Sequence, residues 1–179
     1  MAVMPEIALP ATALVVLVGV SGSGKSTFAA ARFEPTEVLS SDAFRAIVAD
    51  DEADQSASRA AFELLHLAAR HRLERGRLTV IDATSVTGSA RSSLIRLAAD
   101  AGRPAVAIVL DPPLAVCLER NAGRPGRAVE DAVVRRQHAA LRRSLAFGTA
   151  LVDEGFAAIH RLVDPDLTVV VRVADGQGG

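Results

Sequence analysis

Nine consecutive residues, Gly19-Val20-Ser21-Gly22-Ser23-Gly24-Lys25-Ser26-Thr27, set three glycines ahead of a lysine and two hydroxyls. They match G-x-x-x-x-G-K-[ST] without a gap. The chemistry served by that spacing is anion binding. Gly19, Gly22 and Gly24 let the backbone wrap closely around phosphates with its N–H groups pointing inward, and a helix beginning at the lysine adds partial positive charge. Lys25 is then expected to bridge β and γ phosphates and the Ser26 hydroxyl to ligate Mg²⁺, with Ser21, Ser23 and Thr27 completing the ATP-binding set.

Of the 20 Lys+Arg residues, Lys25 is the single lysine; all others are arginine. An N-K-x-D base reader of the kind GTPases use therefore has no lysine to supply it. No L-S-G-G-Q transporter signature is present. The apolar run LTVID at 78–82 is followed by Ala83, where ATP-hydrolysing motors place a water-activating glutamate. A phosphotransferase using ATP or another NTP is left as the leading class.

A transferase also needs an acceptor side. Ser40-Ser41-Asp42 ends the second apolar run, and Arg45 follows one helical turn later. Parallel sheets bind ligands beyond the carboxyl ends of their strands, so Asp42 is expected beside the phosphate loop, where it can take the proton of an attacking hydroxyl while Arg45 holds an acceptor phosphate. The plainer alternative is a helix N-cap at Asp42 with a solvated Arg45. Asp82, ending the third run, is expected to hold a Mg²⁺-bound water, a role Asp42 could also fill, or to orient Arg45, with an N-cap or turn role as its alternative.

Residues 119–143 carry Arg120, Arg124, Arg127, Arg135, Arg136, Arg142 and Arg143 against Glu119, Glu130 and Asp131, a basic run in a chain of net charge −1. Arg135, Arg136, Arg142 and Arg143 read as the solvated face of a helix. Arg120, Arg124 and Arg127 straddle Gly123, Pro125 and Gly126, so they sit on a hinged connection able to fold over a nucleotide as a lid. Guanidinium groups suit the neutralisation of a transferring phosphoryl group. The four histidines have no partners at metal-ligand spacing.

The elements that must position these groups are legible as short apolar runs alternating with amphipathic stretches, the pattern of an α/β domain with a parallel sheet covered on both faces. Strands are expected at 13–19, 36–40, 77–82, 104–110 and 157–162, with an edge strand at 167–173. Helices are expected at 25–33, 42–49, 57–75, 88–101, 112–122 and 129–147. Ala61, Leu64, Leu65 and Ala68 recur as an apolar stripe expected to face the sheet. At 179 residues with 50% hydrophobic and 23% charged, the chain is one globular domain of ample core, and 175–179 reads as a polar, glycine-rich tail. The near balance of 20 basic and 21 acidic residues means a polyanion must be gripped locally. Cys117, the single cysteine, reads as a buried thiol, and a reducing cytoplasm is the expected compartment. Residues 11–20 are too short to span a bilayer, so no membrane partner is expected.

With the loop, the SSD-x-x-R segment and the arginine lid in hand, the chain resembles the kinase domain of bacterial polynucleotide kinase-phosphatase, an RNA end-healing enzyme. The resemblance runs over about 13–163 through GVSGSGKST, LSSDAFRAIVADDEADQ, VIDATSVTGSAR, VCLERNAGRPGRAVEDAVVRRQ and DEGF. It implies a P-loop NTPase of adenylate-kinase-like architecture that moves a phosphoryl group from ATP to the 5′-hydroxyl of RNA or DNA. By motif match Lys25 and Ser26 carry over as phosphate and Mg²⁺ ligands, Asp42 as general base, Arg45 as the acceptor-phosphate contact, and Arg120, Arg124 and Arg127 as lid arginines. That family joins its kinase to phosphatase and ligase-like modules, and the reading admits a homodimer. Two other readings stay open: a small-metabolite kinase on the same scaffold, and a nucleotide-binding regulatory module without transferase activity. With no Trp or Tyr and six Phe, little is available to stack bases, so recognition through terminal phosphate and ribose is expected.

Overall fold

The structure, a computed structural model, describes residues 6–126, 128–146, 150–164 and 169–174. Arg127 and the tail 175–179 lie outside them, as do the first two residues of the expected edge strand. Five parallel strands, β2 (Leu14–Val18), β3 (Val38–Ser40), β4 (Thr79–Asp82), β5 (Ala105–Leu110) and β6 (Ala158–Leu162), form a sheet of order β3-β4-β2-β5-β6. All five coincide with expected strands to within two residues. The helices are α1 (Lys25–Arg32), α2 (Ser41–Ala49), α3 (Ser58–Glu74) after a 3₁₀ turn at Gln55–Ala57, α4 (Gly88–Asp100), α5 (Leu114–Ala122), α6 (Asp131–Leu145) and a short α7 (Ala150–Asp153) that the sequence pattern did not announce.

The central strand shows why the sheet is parallel and two-sided. LVVLV has no polar residue, and every position is buried. Its side chains alternate between two cores. Leu14, Val16 and Val18 pack with Leu65 and Leu73 of α3, Leu94 of α4 and Leu141 of α6, whereas Val15 and Leu17 pack with Phe28 and Phe33 around α1. Because β3 and β4 lie on one side of β2 and β5 and β6 on the other, the chain order reverses there, and the crevice of such a sheet opens at the carboxyl end of that strand.

Two expectations are corrected. The stripe of α3 that meets the sheet is Ala61, Leu65, Ala69 and Leu73, while Leu64 is 40% exposed; the small alanines along an i, i+4 ridge let the helix lie close to the sheet, which Leu64 would hold off. The last strand, β7 (Val170–Ala174), is not an edge of the main sheet. It pairs in parallel with β1 (Glu6–Pro10), which the sequence reading missed, in a separate two-stranded sheet. EIALP offers only Ile7 and Leu9 to the interior and ends in a proline, too little for a strand until its partner, more than 160 residues away, is known.

Candidate active site

The loop between β2 and α1 carries its glycines for two separate reasons. Gly22 and Gly24 have φ of +80° and +94°, the left-handed region that side chains avoid. At Gly22 an added Cβ would also stand 2.1 Å from the Cys117 carbonyl oxygen, so the backbone of α5 rests directly on the loop. The loop's first amide is tied to the neighbouring strand end: Gly19 N–H donates to the Thr84 carbonyl at 3.1 Å. The Ser23 hydroxyl is fully buried within the loop and has no hydrogen-bond partner. Ser26 and Thr27 are exposed on the first turn of α1.

Lys25 is buried, and its Nζ donates to the carbonyls of Gly19 at 2.8 Å and Val20 at 2.9 Å. Burial pulls its pKa down to about 8; nearby Asp82 works against that shift, and Arg124 adds to it. The ammonium is thus held inside the loop by two carbonyls, with Asp82 and Asp42 as its nearby counter-charges. Asp82 is 6% exposed at the end of β4, in register with Leu17 and Ser40 of the flanking strands. It faces Lys25. It does not orient Arg45, whose side chain is held by Asp42 and by the Glu52 carbonyl, at 2.8 Å from Nε.

Asp42 is not the cap of α2. Ser40 caps that helix, its hydroxyl accepting from Ala43 N–H, which leaves Asp42 in the first turn with its carboxylate turned to other partners. One oxygen pairs with Arg45, and the other lies 3.7 Å from Nη2 of Arg124. The structure therefore brings together Lys25, Asp42, Asp82, Arg45 and Arg124 around one loop, from four different elements or connections. Arg120 is exposed in the last turn of α5, near enough to Cys117 to act on it electrostatically. Cys117 is buried, and burial pushes its thiol pKa up, as expected of an inert residue.

Several residues of the site went unnoticed in the sequence. Asn121, 1% exposed, closes the connection between α5 and α6 on itself: its Nδ2 donates to the Val129 carbonyl at 2.7 Å and its Oδ1 accepts from Val129 N–H at 3.2 Å. Asp111, at the end of β5, binds Arg161 of β6 at 2.6 Å and Arg142 of α6 at 3.3 Å, so Arg142 is not merely a solvated face residue. Arg135, Arg136 and Arg143 are exposed, as read. A polar residue on an otherwise apolar helix stripe was the signal available for Asn121, which lies one turn past Cys117. Replacing Asn121 by Ala removes both closures and is expected to cost about 1–3 kcal/mol of stability. Trypsin should then cut the connection after Arg127, since the Arg124–Pro125 bond resists it, faster than in the wild type, and an unchanged digestion rate would contradict the clamp.

Hard oxygen donors surround the loop, namely the Ser26 hydroxyl and the carboxylates of Asp42 and Asp82, which suit Mg²⁺. Among the described residues no group of three or more His, Cys, Asp or Glu could hold a metal unaided, so an ion here would share its coordination with phosphate oxygens. No described helix is long and apolar enough to cross a membrane.

A parallel sheet that reverses order at β2, with a lysine-bearing phosphate loop at the reversal, defines a P-loop NTPase fold of the kinase-like kind, and that fold implies nucleotide binding. Residues 14–146 match the model of an AAA domain family, and the chain belongs to that family. No curated protein sequence matches it. Among solved structures it is similar to a chain of the Pnkp1/Rnl/Hen1 RNA repair complex, at a TM-score of 0.66 and 20% identity over 82% of this chain and 47% of that one. It is likewise similar to AvrRxo1-ORF1:-ORF2 with ATP (TM-score 0.60, 20% identity, 82% of this chain and 50% of that). Chaetomium thermophilum Kti12 in complex with ADP-AlF3 is a third (TM-score 0.59, 14% identity, 84% and 88%). At these identities the likeness is one of fold. The chain spans about half the length of the first two.

Proposed function

We propose that the chain is an ATP-dependent, Mg²⁺-assisted kinase of 5′-hydroxyl ends of RNA or DNA. The observation that carries this reading is Asp42, a carboxylate gripped by Arg45 from its own helix and approached by Arg124 from the lid connection, beside the buried ammonium of Lys25. A nucleotide sensor has no use for a carboxylate so placed. The similarity to a chain of an RNA repair complex supports the acceptor class.

In this reading the loop amides and Lys25 hold the β and γ phosphates, and Ser26 with Asp82 holds the ion, which neutralises phosphate charge when bound. Asp42 accepts the proton of the acceptor hydroxyl as its oxygen attacks the γ-phosphorus; the bond to the β–γ bridging oxygen breaks and ADP departs. Arg124 and Arg120, with Arg127, neutralise the moving charge from the lid side. Arg45 grips the phosphate next to the terminal nucleoside. Phosphatase and ligase-like modules in a longer chain are its proposed company, and the cytoplasm its compartment.

The test compares a nucleoside, a nucleoside 3′-phosphate and a short 5′-hydroxyl oligonucleotide as acceptors. Wild type should use the two phosphate-bearing acceptors about 30- to 150-fold better in kcat/KM than the nucleoside, and Arg45→Ala should erase most of that difference. Asp42→Asn should lower kcat by about 10² with ATP affinity within a few-fold. Equal use of all three acceptors, or a sugar outcompeting them, would overturn the polynucleotide reading in favour of a small-metabolite kinase.

A further inference from the structure

The side chain of Gln137, on α6, reaches the phosphate loop from 116 residues away: its Oε1 accepts the Ser21 N–H at 2.8 Å. The amide orientation is set by chemistry, because a backbone N–H requires the oxygen and not the NH₂. The position is no accident of a long surface side chain. Val134 and Leu141, one turn to either side on the same stripe of α6, are 0% and 1% exposed in the core, and Gln137 is the half-buried polar residue between them. An apolar residue would satisfy that stripe.

The N–H that Gln137 receives and the carbonyl that receives Lys25 belong to one peptide unit, Val20–Ser21. That unit is planar and trans, so a contact that fixes the direction of the N–H also fixes the direction of the C=O. Hydrogen bonds in series also polarise one another, so an acceptor on the N–H makes the carbonyl a better acceptor for the ammonium. We propose that Gln137 is a positioning residue for Lys25, aiming the lysine through the Val20–Ser21 peptide and thereby linking the lid-side helix α6 to the floor of the phosphate loop. The inference rests on the reading of Lys25 as the phosphate ligand, but not on the identity of the acceptor. Gly19 supplies the second carbonyl on Nζ from the separate Gly19–Val20 peptide, so Gln137 governs one of the two anchors.

The single lysine makes a direct test available: protein labelled with ¹⁵N-lysine has one side-chain ammonium signal, that of Lys25. Gln137→Leu keeps the apolar stripe and removes the acceptor; Gln137→Glu keeps an acceptor oxygen. In nucleotide-free protein at mildly acid pH, hydrogen exchange of the ammonium should quicken about fivefold in Gln137→Leu and return to within about twofold of wild type in Gln137→Glu, with both variants melting cooperatively. With ATP, Gln137→Leu should lose about fivefold in kcat/KM, and Gln137→Glu should recover part of it. Unchanged ammonium exchange in Gln137→Leu, or equal quickening in Gln137→Glu, would overturn the proposal. Because the exchange measurement involves no nucleotide and no acceptor, a protein that passes it yet phosphorylates no 5′-hydroxyl refutes the proposed function and leaves the positioning role standing.

Discussion

Lys25→Ala is expected to lower kcat/KM for ATP by about 10³ or more while the domain still folds, since the lysine is the one ammonium placed against the loop. Lys25→Arg should fail nearly as badly. Two carbonyls at 2.8 and 2.9 Å converge on a single nitrogen, and a planar guanidinium in that buried space would have to displace backbone. The pH dependence carries the same assignment. With the folded pKa lowered to about 8 by burial, kcat/KM should decline as pH rises through about 8, where the free protein loses its ammonium. Stability should move the other way. The unfolded lysine titrates at the ordinary value of 10.5, so between about 8 and 10.5 the unfolded chain binds more protons, and this group's contribution to stability rises with pH across that window. The span corresponds to an order of 3 kcal/mol, present as a constant cost below pH 8. Lys25→Ala should abolish both slopes together. Near wild-type transfer by either variant, or an alkaline limb that persists in Lys25→Ala, would remove the lysine from the reaction.

Glu154→Ala is expected to cost about 3 kcal/mol of unfolding free energy, a large share of the stability of a domain this size. Arg91 on α4 is fully buried, and Glu154, just past α7, supplies its counter-charge through two bonds, Nε to Oε2 at 2.7 Å and Nη2 to Oε1 at 2.6 Å. The remaining guanidinium donors go to the Ser85 carbonyl at 2.9 Å and the Ser144 hydroxyl at 3.0 Å, so one side chain ties together α4, α6, the turn after α7 and the connection after β4. Without Glu154 the guanidinium is stranded in the core, whereas the double replacement Arg91→Leu with Glu154→Leu removes charge and counter-charge together and should recover much of the loss. Denaturant unfolding of the three proteins measures it; a single variant no worse than the double would sink the argument. The network also reaches the site. Ser85 is held at φ +46°, two residues after Ala83, and the adjacent Thr84 carbonyl accepts the first amide of the phosphate loop. Transfer activity should therefore fall in the double variant even where stability recovers.

What the sequence determined by itself was whatever local chemistry dictates. The phosphate loop is contiguous, and its glycine spacing has one use. The central strands β2 and β5 are unbroken apolar runs, and the flanking strands hold shorter ones, because a parallel strand buried on both faces admits little else. Those two facts also located Asp42 and Asp82, since both sit where such a run ends. The tertiary structure decided everything that depends on partners distant in the chain. β1 became a strand only through β7, and the stripe of α3 was chosen by how closely alanines let it approach the sheet. Arg91 lies on the stripe of Leu94 and Ala98, where helical periodicity asks for an apolar residue; its meaning depends on Glu154, 63 residues on. Gln137 reads the same way until folding sets its carbonyl against Ser21, and Arg124 becomes a partner of Asp42 only when the connection between α5 and α6 comes up to α2. The physical reason is common to all of these cases. A buried polar group is tolerated only when its partner arrives, and for these residues the partner is supplied by the fold and not by neighbours in the chain.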